Sequence, residues 1–235
     1  MRFALLAILF AVSACAGTEP GPPDDDDNGG GGEPLPPVFD LVRPKNDGSD
    51  QEGTVDKTLL QPFVIRVMFN GNPMPGVFVD WAAITPGASM SPATSQTDAY
   101  GYTSSYFRPN HTVGVQYGKV VLGEQEELFW ITAGPGSPNT IVAVPSVDSA
   151  PVDGFLIKRV MVTDQFGNGV PDVPVTWTHS VNGGPLELWE SQSLTAGNGA
   201  AYFAIWFGTS PATVTLTATS PSIGVPPINI EVKSY

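Results

Sequence analysis

The sequence predicts an all-β protein built as two similar sandwiches, and three observations predict it. Residues 71–81 read GNPMPGVFVDW and residues 167–177 read GNGVPDVPVTW, so Gly, Asn, Pro, Val, Val and Trp recur at a constant offset of 96 positions. Apolar residues then alternate with a period of two along many short segments, while no stretch of ten or more beyond Val38 shows helical spacing. Gly (26) and Pro (24) are abundant, as a chain with many turns requires, yet below the level of a low-complexity sequence. With 235 residues, 41% of them hydrophobic, the chain can bury one large core or two of about 100 residues each, and the repeat selects two.

The first fifteen residues, MRFALLAILFAVSAC, carry one positive charge at Arg2, an apolar run from Phe3 to Val12, and small residues before Cys15. A run this short does not cross a hydrocarbon layer of about 30 Å, which needs roughly 20 residues, so a removed signal is expected rather than a permanent helix. Val12-Ser13-Ala14-Cys15 resembles the lipobox of bacterial lipoproteins. The resemblance implies a signal peptide of residues 1–14, cut so that Cys15 becomes the lipid-bearing terminus; an ordinary secretory signal is the alternative. Cys15 is the only Cys, which excludes a disulfide within the chain.

Residues 15–37 form the expected tether. Beyond Cys15 they contain no aromatic residue, a single Leu and runs of Pro, Asp and Gly, too little apolar surface to offset the entropy of ordering. As a flexible coil the segment reaches on the order of 25 Å. Asp24-x-Asp26-x-Asn28-Gly29 matches the first half of a calcium-binding EF-hand loop, but Leu35 stands where the bidentate Glu belongs, so a solvated acidic spacer is expected. Six of the acidic residues behind the net charge of −13 lie here. The rest of the chain is acidic too and has no basic cluster, which argues against nucleic acid and anionic lipid headgroups as ligands.

The first globular half, 38–135, is expected to place strands near Val38 to Arg43, Phe63 to Phe69, Val77 to Ile84, Ser95 to Asp98, Tyr102 to Phe107, Val115 to Leu122 and Glu127 to Ala133. A long loop is expected from Asn46 to Asp56. After a short Pro and Gly hinge the second half, 136–235, repeats the pattern. Its strands are expected near Thr140 to Val144, Leu156 to Thr163, Val173 to Thr178, Glu187 to Trp189, Ala200 to Phe207, Ala212 to Thr219 and Ile228 to Lys233. In each half Val-x-Val-x-Trp turns Trp81 or Trp177 into the core, and Asn168-Gly169 and Asn198-Gly199 supply turns. Seven short strands per half, about a dozen residues apart, indicate an immunoglobulin-type β-sandwich. The hinge offers little shared surface, so weak coupling between the halves is expected.

Gly53-Thr54-Val55, Val64-Ile65-Arg66-Val67, Gly71-Asn72-Pro73-Met74-Pro75-Gly76-Val77, Thr97-Asp98-Ala99-Tyr100-Gly101 and Thr112-Val113-Gly114-Val115-Gln116 together resemble the group-one bacterial Ig-like domain, the module of invasin and intimin. The second copy resembles it through residues 162–171 and 212–218. The resemblance implies a surface-displayed spacer or adhesin and brings no shared catalytic or ligand residue with it. The 235 residues show no sign of the membrane barrel or lectin-like domain that accompany these modules.

Signs of chemistry are sparse. His111 and His179 fall in different halves without a second His or Cys at metal-ligand spacing, and the nucleophile-elbow, phosphate-loop and dinucleotide motifs are missing. Glu124, Glu126 and Glu127 crowd one turn and read as a solvated hairpin rather than a cation site or an acid pair. Asn110-His111-Thr112 is a glycosylation sequon in an expected exposed loop. Alternation turns Tyr102 and Tyr106, and Tyr202 and Trp206, outward, where aromatics stack on sugars or anchor a partner unless a neighbouring loop covers them. The expected function is therefore a non-enzymatic lipoprotein of the outer membrane, without cofactor or metal, anchored at Cys15 and acting as a spacer or adhesion module toward an extracellular protein or glycan. The alternative is a carbohydrate-binding sandwich that uses those four aromatics. Ala16, in place of the Asp that retains such proteins at the inner membrane, underlies the outer-membrane expectation by resemblance.

Overall fold

A computed structural model describes residues 39–189, 191–221 and 223–235. In the N-terminal half β1 (Phe39–Val42), β2 (Gln51–Thr54), β3 (Phe63–Phe69), β4 (Asn72–Pro73) and β5 (Phe78–Ala83) are followed by β6 (Ser89–Ser91), β7 (Thr94–Gln96), β8 (Tyr102–Arg108), β9 (Gly114–Leu122) and β10 (Gln125–Gly134). They form one sheet in the order β1-β3-β8-β6, with β4 on β3, and a second in the order β2-β10-β9-β5-β7. In the C-terminal half β11 (Thr140–Ala143), β12 (Ser149–Ala150), β13 (Phe155–Thr163), β14 (Pro174–Gly183) and β15 (Leu186–Trp189) precede β16 (Gln192–Leu194), β17 (Ala200–Phe207), β18 (Ala212–Thr219) and β19 (Ile228–Ser234). Their sheets run β11-β13-β17-β15 and β12-β19-β18-β14-β16.

Alternation decides which side chains meet. Phe63, Ile65 and Val67 from one sheet and Val79, Trp81, Val120, Phe129 and Ile131 from the other share one buried cluster. Val160, Val162, Phe203 and Ile205 meet Val175, Trp177, Val214, Leu216 and Val232 in a second. Such sheet-on-sheet burial is the main source of stability in a sandwich. The repeated Trp is fixed the same way twice: Trp81 donates its indole N–H to Ser95 Oγ at 2.7 Å, and Trp177 donates to Ser193 Oγ at 3.0 Å. The turn before β8 and β17 repeats as well. Gly101 and Gly199 sit at φ of 79° and 80°, and a Cβ there would lie 2.6 Å from Val67 O or 2.4 Å from Val162 O, so only glycine fits.

Residues Asn46 to Asp56 are not one long loop. Gln51–Thr54 forms β2, which runs parallel to β10, as β12 runs parallel to β19 in the other half. A segment reading Gln-Glu-Gly-Thr has little strand propensity. Its structure comes from backbone pairing with β10, which local pattern does not reveal.

Candidate functional site

The outward side chains of β13 and β17 form an apolar exposed face that includes Phe155, Ile157, Tyr202 and Trp206. Cross-strand register sets Phe155 opposite Trp206, Ile157 opposite Ala204 and Arg159 opposite Tyr202. On the far side of β17, Glu187 of β15 lies opposite Trp206, so a carboxylate, an indole and a phenyl ring stand in one row across three strands. The Phe155 and Trp206 rings are 5.7 Å apart between centroids and nearly parallel at 16°. Trp206 separates two depressions. One, of about 220 Å³, is walled by Phe155 and Trp206 over Ile157 and Ala204. The other, of about 260 Å³, is lined by Trp206 together with Asp153 and Glu187.

The corresponding face of the N-terminal half is built on the same register with different residues. Val64 lies opposite Ser104 and Arg66 opposite Tyr102, and the Arg66 guanidinium sits 5.0 Å from the centre of the Tyr102 ring. Because Gly101 and Gly199 occupy the same turn, the row of Val64 and Ser104 corresponds to that of Arg159 and Tyr202, and the row of Arg66 and Tyr102 to that of Met161 and Ala200, so the Arg and Tyr pairs of the two halves lie in different rows. Of the four aromatics read as outward, Tyr102 is 37% exposed, Tyr106 42%, Tyr202 49% and Trp206 52%. They do not converge, since Tyr102 and Tyr106 belong to β8 and Tyr202 and Trp206 to β17. Phe155, which completes the second face, begins β13 one residue before the expected start at Leu156, and extending the period-two pattern by one position finds it. Tyr117 and Trp130 also face outward in register on β9 and β10, beside Arg43, whose guanidinium lies 5.2 Å from the Trp130 ring. Their alternation with buried Gln116, Phe129 and Ile131 was the available signal.

Asp153 owes its availability to a substitution within the repeat. It has φ of 59°, as Asp56 does in the first half, and its amide donates to Gly208 O as that of Asp56 donates to Asn110 O. The Asp56 carboxylate is held by Arg108 at 2.6 Å. In the second half Trp206 stands where Arg108 stands in the first, two residues before the carbonyl that accepts from the Asp amide, and among the described residues Asp153 has no ion-pair partner.

The junction between the halves is built around Asp164, which is buried. Its carboxylate accepts from the amides of Gly136 (2.8 Å), Phe166 (2.9 Å) and Asn168 (2.9 Å) and from the Asn168 side chain (2.9 Å). Burial, the largest influence, pushes its pKa up; the side-chain and backbone hydrogen bonds together outweigh it and hold the group below the ordinary 3.8. The loop so fixed presents Phe166 to the N-terminal half, where it packs against the first core and stacks on His111 at 4.1 Å and 8°. The Asn168 side chain donates to His111 O at 2.8 Å. The halves therefore meet through Phe166, Asn168 and His111 as well as through the Pro and Gly hinge.

The remaining candidates separate. His179 is exposed on β14, whereas His111 stacks on Phe166 at the junction. Glu124 lies at the β9 to β10 turn, Glu126 pairs with Lys119 at 2.7 Å, and among the described residues no three His, Cys, Asp or Glu side chains gather as a metal site. Asn110 of the sequon is half-buried, with its side chain bonded to Pro86 O, the Thr112 amide and Gln116. Cys15, the EF-hand-like Asp24 to Gly29 stretch and the tether lie outside the described residues. Among those described, no helix is long and apolar enough to cross a membrane.

No protein-family model matches the sequence, and no curated protein matches it. Solved structures do resemble it. The D0-D1 domain of intimin aligns at 18% identity over 84% of this chain and 100% of its own, with a TM-score of 0.33. FdeC, an adhesin of Escherichia coli, aligns at 14% identity over 83% of this chain and 63% of its own, with a TM-score of 0.44. A family 2 glycosyl hydrolase of Bacteroides cellulosilyticus aligns at 14% identity over 85% of this chain and 28% of its own, with a TM-score of 0.37. At these identities the chain is similar to its neighbours, bacterial Ig-like domains of intimin and other adhesins among them, in fold alone.

Proposed function

We propose that the chain is a non-enzymatic cell-envelope lipoprotein, held in the outer membrane through Cys15, whose Ig-like domains 38–135 and 136–235 act as a surface spacer or adhesion module. The observation that supports this reading is the junction: Phe166 packs on the first core and Asn168 donates to His111 O, so the two domains meet through side chains as well as through the chain that joins them. A pair joined in this way is useful where a face must be held clear of a surface. The acidic tether fits the same role, since negative charge keeps it off anionic headgroups. Two or three acyl chains on Cys15 give stable anchoring where a single chain is marginal, at about 0.8 kcal/mol per buried CH₂.

Fractionation tests the anchor. Cys15→Ala is expected to move the protein from the membrane to the soluble fraction with its far-ultraviolet circular dichroism unchanged. Retention of the variant in the membrane fraction would show that something other than a lipid on Cys15 holds the chain there.

A further inference from the structure

The outer face of β13, β17 and β15 is specific enough in layout to name a ligand class. Trp206 and Tyr202 lie four residues apart on β17, about 13 Å at the rise of a strand, with the small Ala204 between them opening the depression. The two ends carry opposite charge. Asp153 and Glu187 flank Trp206, while Arg159 lies opposite Tyr202. A basic ligand spanning the face meets Arg159, and an acidic one meets Asp153 and Glu187. A second copy brings another net charge of −13. A neutral hydroxylated chain meets none of these costs. Its ring C–H faces stack on indole and phenol, its hydroxyls donate to the carboxylates, and its oxygens accept from the guanidinium.

We propose that this face binds a neutral hexose chain laid along β17 between Tyr202 and Trp206. The proposal rests on the adhesion reading and supplies its ligand class. The N-terminal half lacks the site, because Ser104 and Arg108 stand where Tyr202 and Trp206 stand in the second half, and the carboxylate equivalent to Asp153 is paired with Arg108.

The test is calorimetric titration of the full chain, in detergent, with cellohexaose and maltohexaose and with two charged comparators, hexagalacturonate and a glucosamine hexamer. Saturable binding of a neutral hexamer is expected, weakened about tenfold or more by Trp206→Ala, less by Tyr202→Ala, and unchanged by Tyr106→Ala. Trp206→Phe keeps a ring and should retain much of the affinity, which separates a lost stack from a lost fold. The proposal is overturned if neither neutral hexamer binds, if a charged one binds more tightly, or if Tyr106→Ala matters as much as Trp206→Ala. A dimer that dissociates in Trp206→Ala would overturn it in favour of a second copy. Protease access on whole cells is independent of all these outcomes, so the ligand proposal and the display reading can fail separately.

Discussion

In the N-terminal half the segment crossing from β1 to β2 is pinned by Arg43, which lies in the crossing segment itself and reaches Asp47, Ser49 Oγ and Leu128 O. In the C-terminal half the segment from β11 to β12 is pinned from the strand beneath it. Lys158 of β13, almost wholly buried, sends its ammonium to Ser146 Oγ at 3.1 Å, Val147 O at 2.6 Å and the carboxylate of Asp148. Against this, the contacts around the repeated turn are copied: Thr97 Oγ1 donates to Met74 O and accepts from Val77 N, and Thr195 Oγ1 does the same with Val170 O and Val173 N. Buried backbone groups leave few ways to be satisfied, so their partners persist in both copies. A crossing segment can be fastened from either side, and an outer face need only be solvated, so these have diverged.

The comparison breaks most severely at what the halves share. Trp81→Ala and Trp177→Ala should each cost about 3–5 kcal/mol in chemical denaturation, through the cavity each leaves. Near-equal losses are expected, and a loss confined to one half would mean that the two cores are not equivalent. Where the halves differ the effect is smaller. Lys158→Met keeps the stem and removes the head group's contacts, costing about 1–3 kcal/mol, with faster amide exchange expected in residues 144–148 and not in 43–50.

Phe166→Ala should cost about 1 kcal/mol, since that side chain is half-buried, and should separate the thermal transitions of the halves. An unchanged single transition would mean that Phe166 does not couple them. The smallest effect is acid dependence at Asp164. Its folded pKa lies below the unfolded value, so its contribution is fully present above about pH 3.8 and is lost as pH falls through the folded value. The stability gap between wild type and Asp164→Asn should therefore narrow only below pH 3.8; a gap constant with pH would deny the carboxylate its role.

How much of this was legible in the sequence depends on where each element gets its structure. β3, β17 and β18 begin and end at the expected residues because their alternation is itself the physical cause of their burial. β2, β6, β12 and β16 were not expected: they are short, largely polar and defined by a partner strand distant in sequence. The outward turn of Tyr202 and Trp206 followed from periodicity, but their neighbours Glu187 and Asp153 come from other strands and loops, and only register brings them together. Lys158 was illegible for another reason, because a Lys among Leu156 and Val160 reads as a break in the pattern until its head group is seen to leave the core.

The central claim, that the anchored sandwiches are displayed outside the cell, is tested most directly by protease treatment of intact cells bearing the full chain. The account predicts that both halves are digested while a periplasmic marker survives. Protection of both halves until the outer membrane is opened would place them in the periplasm and contradict the display reading.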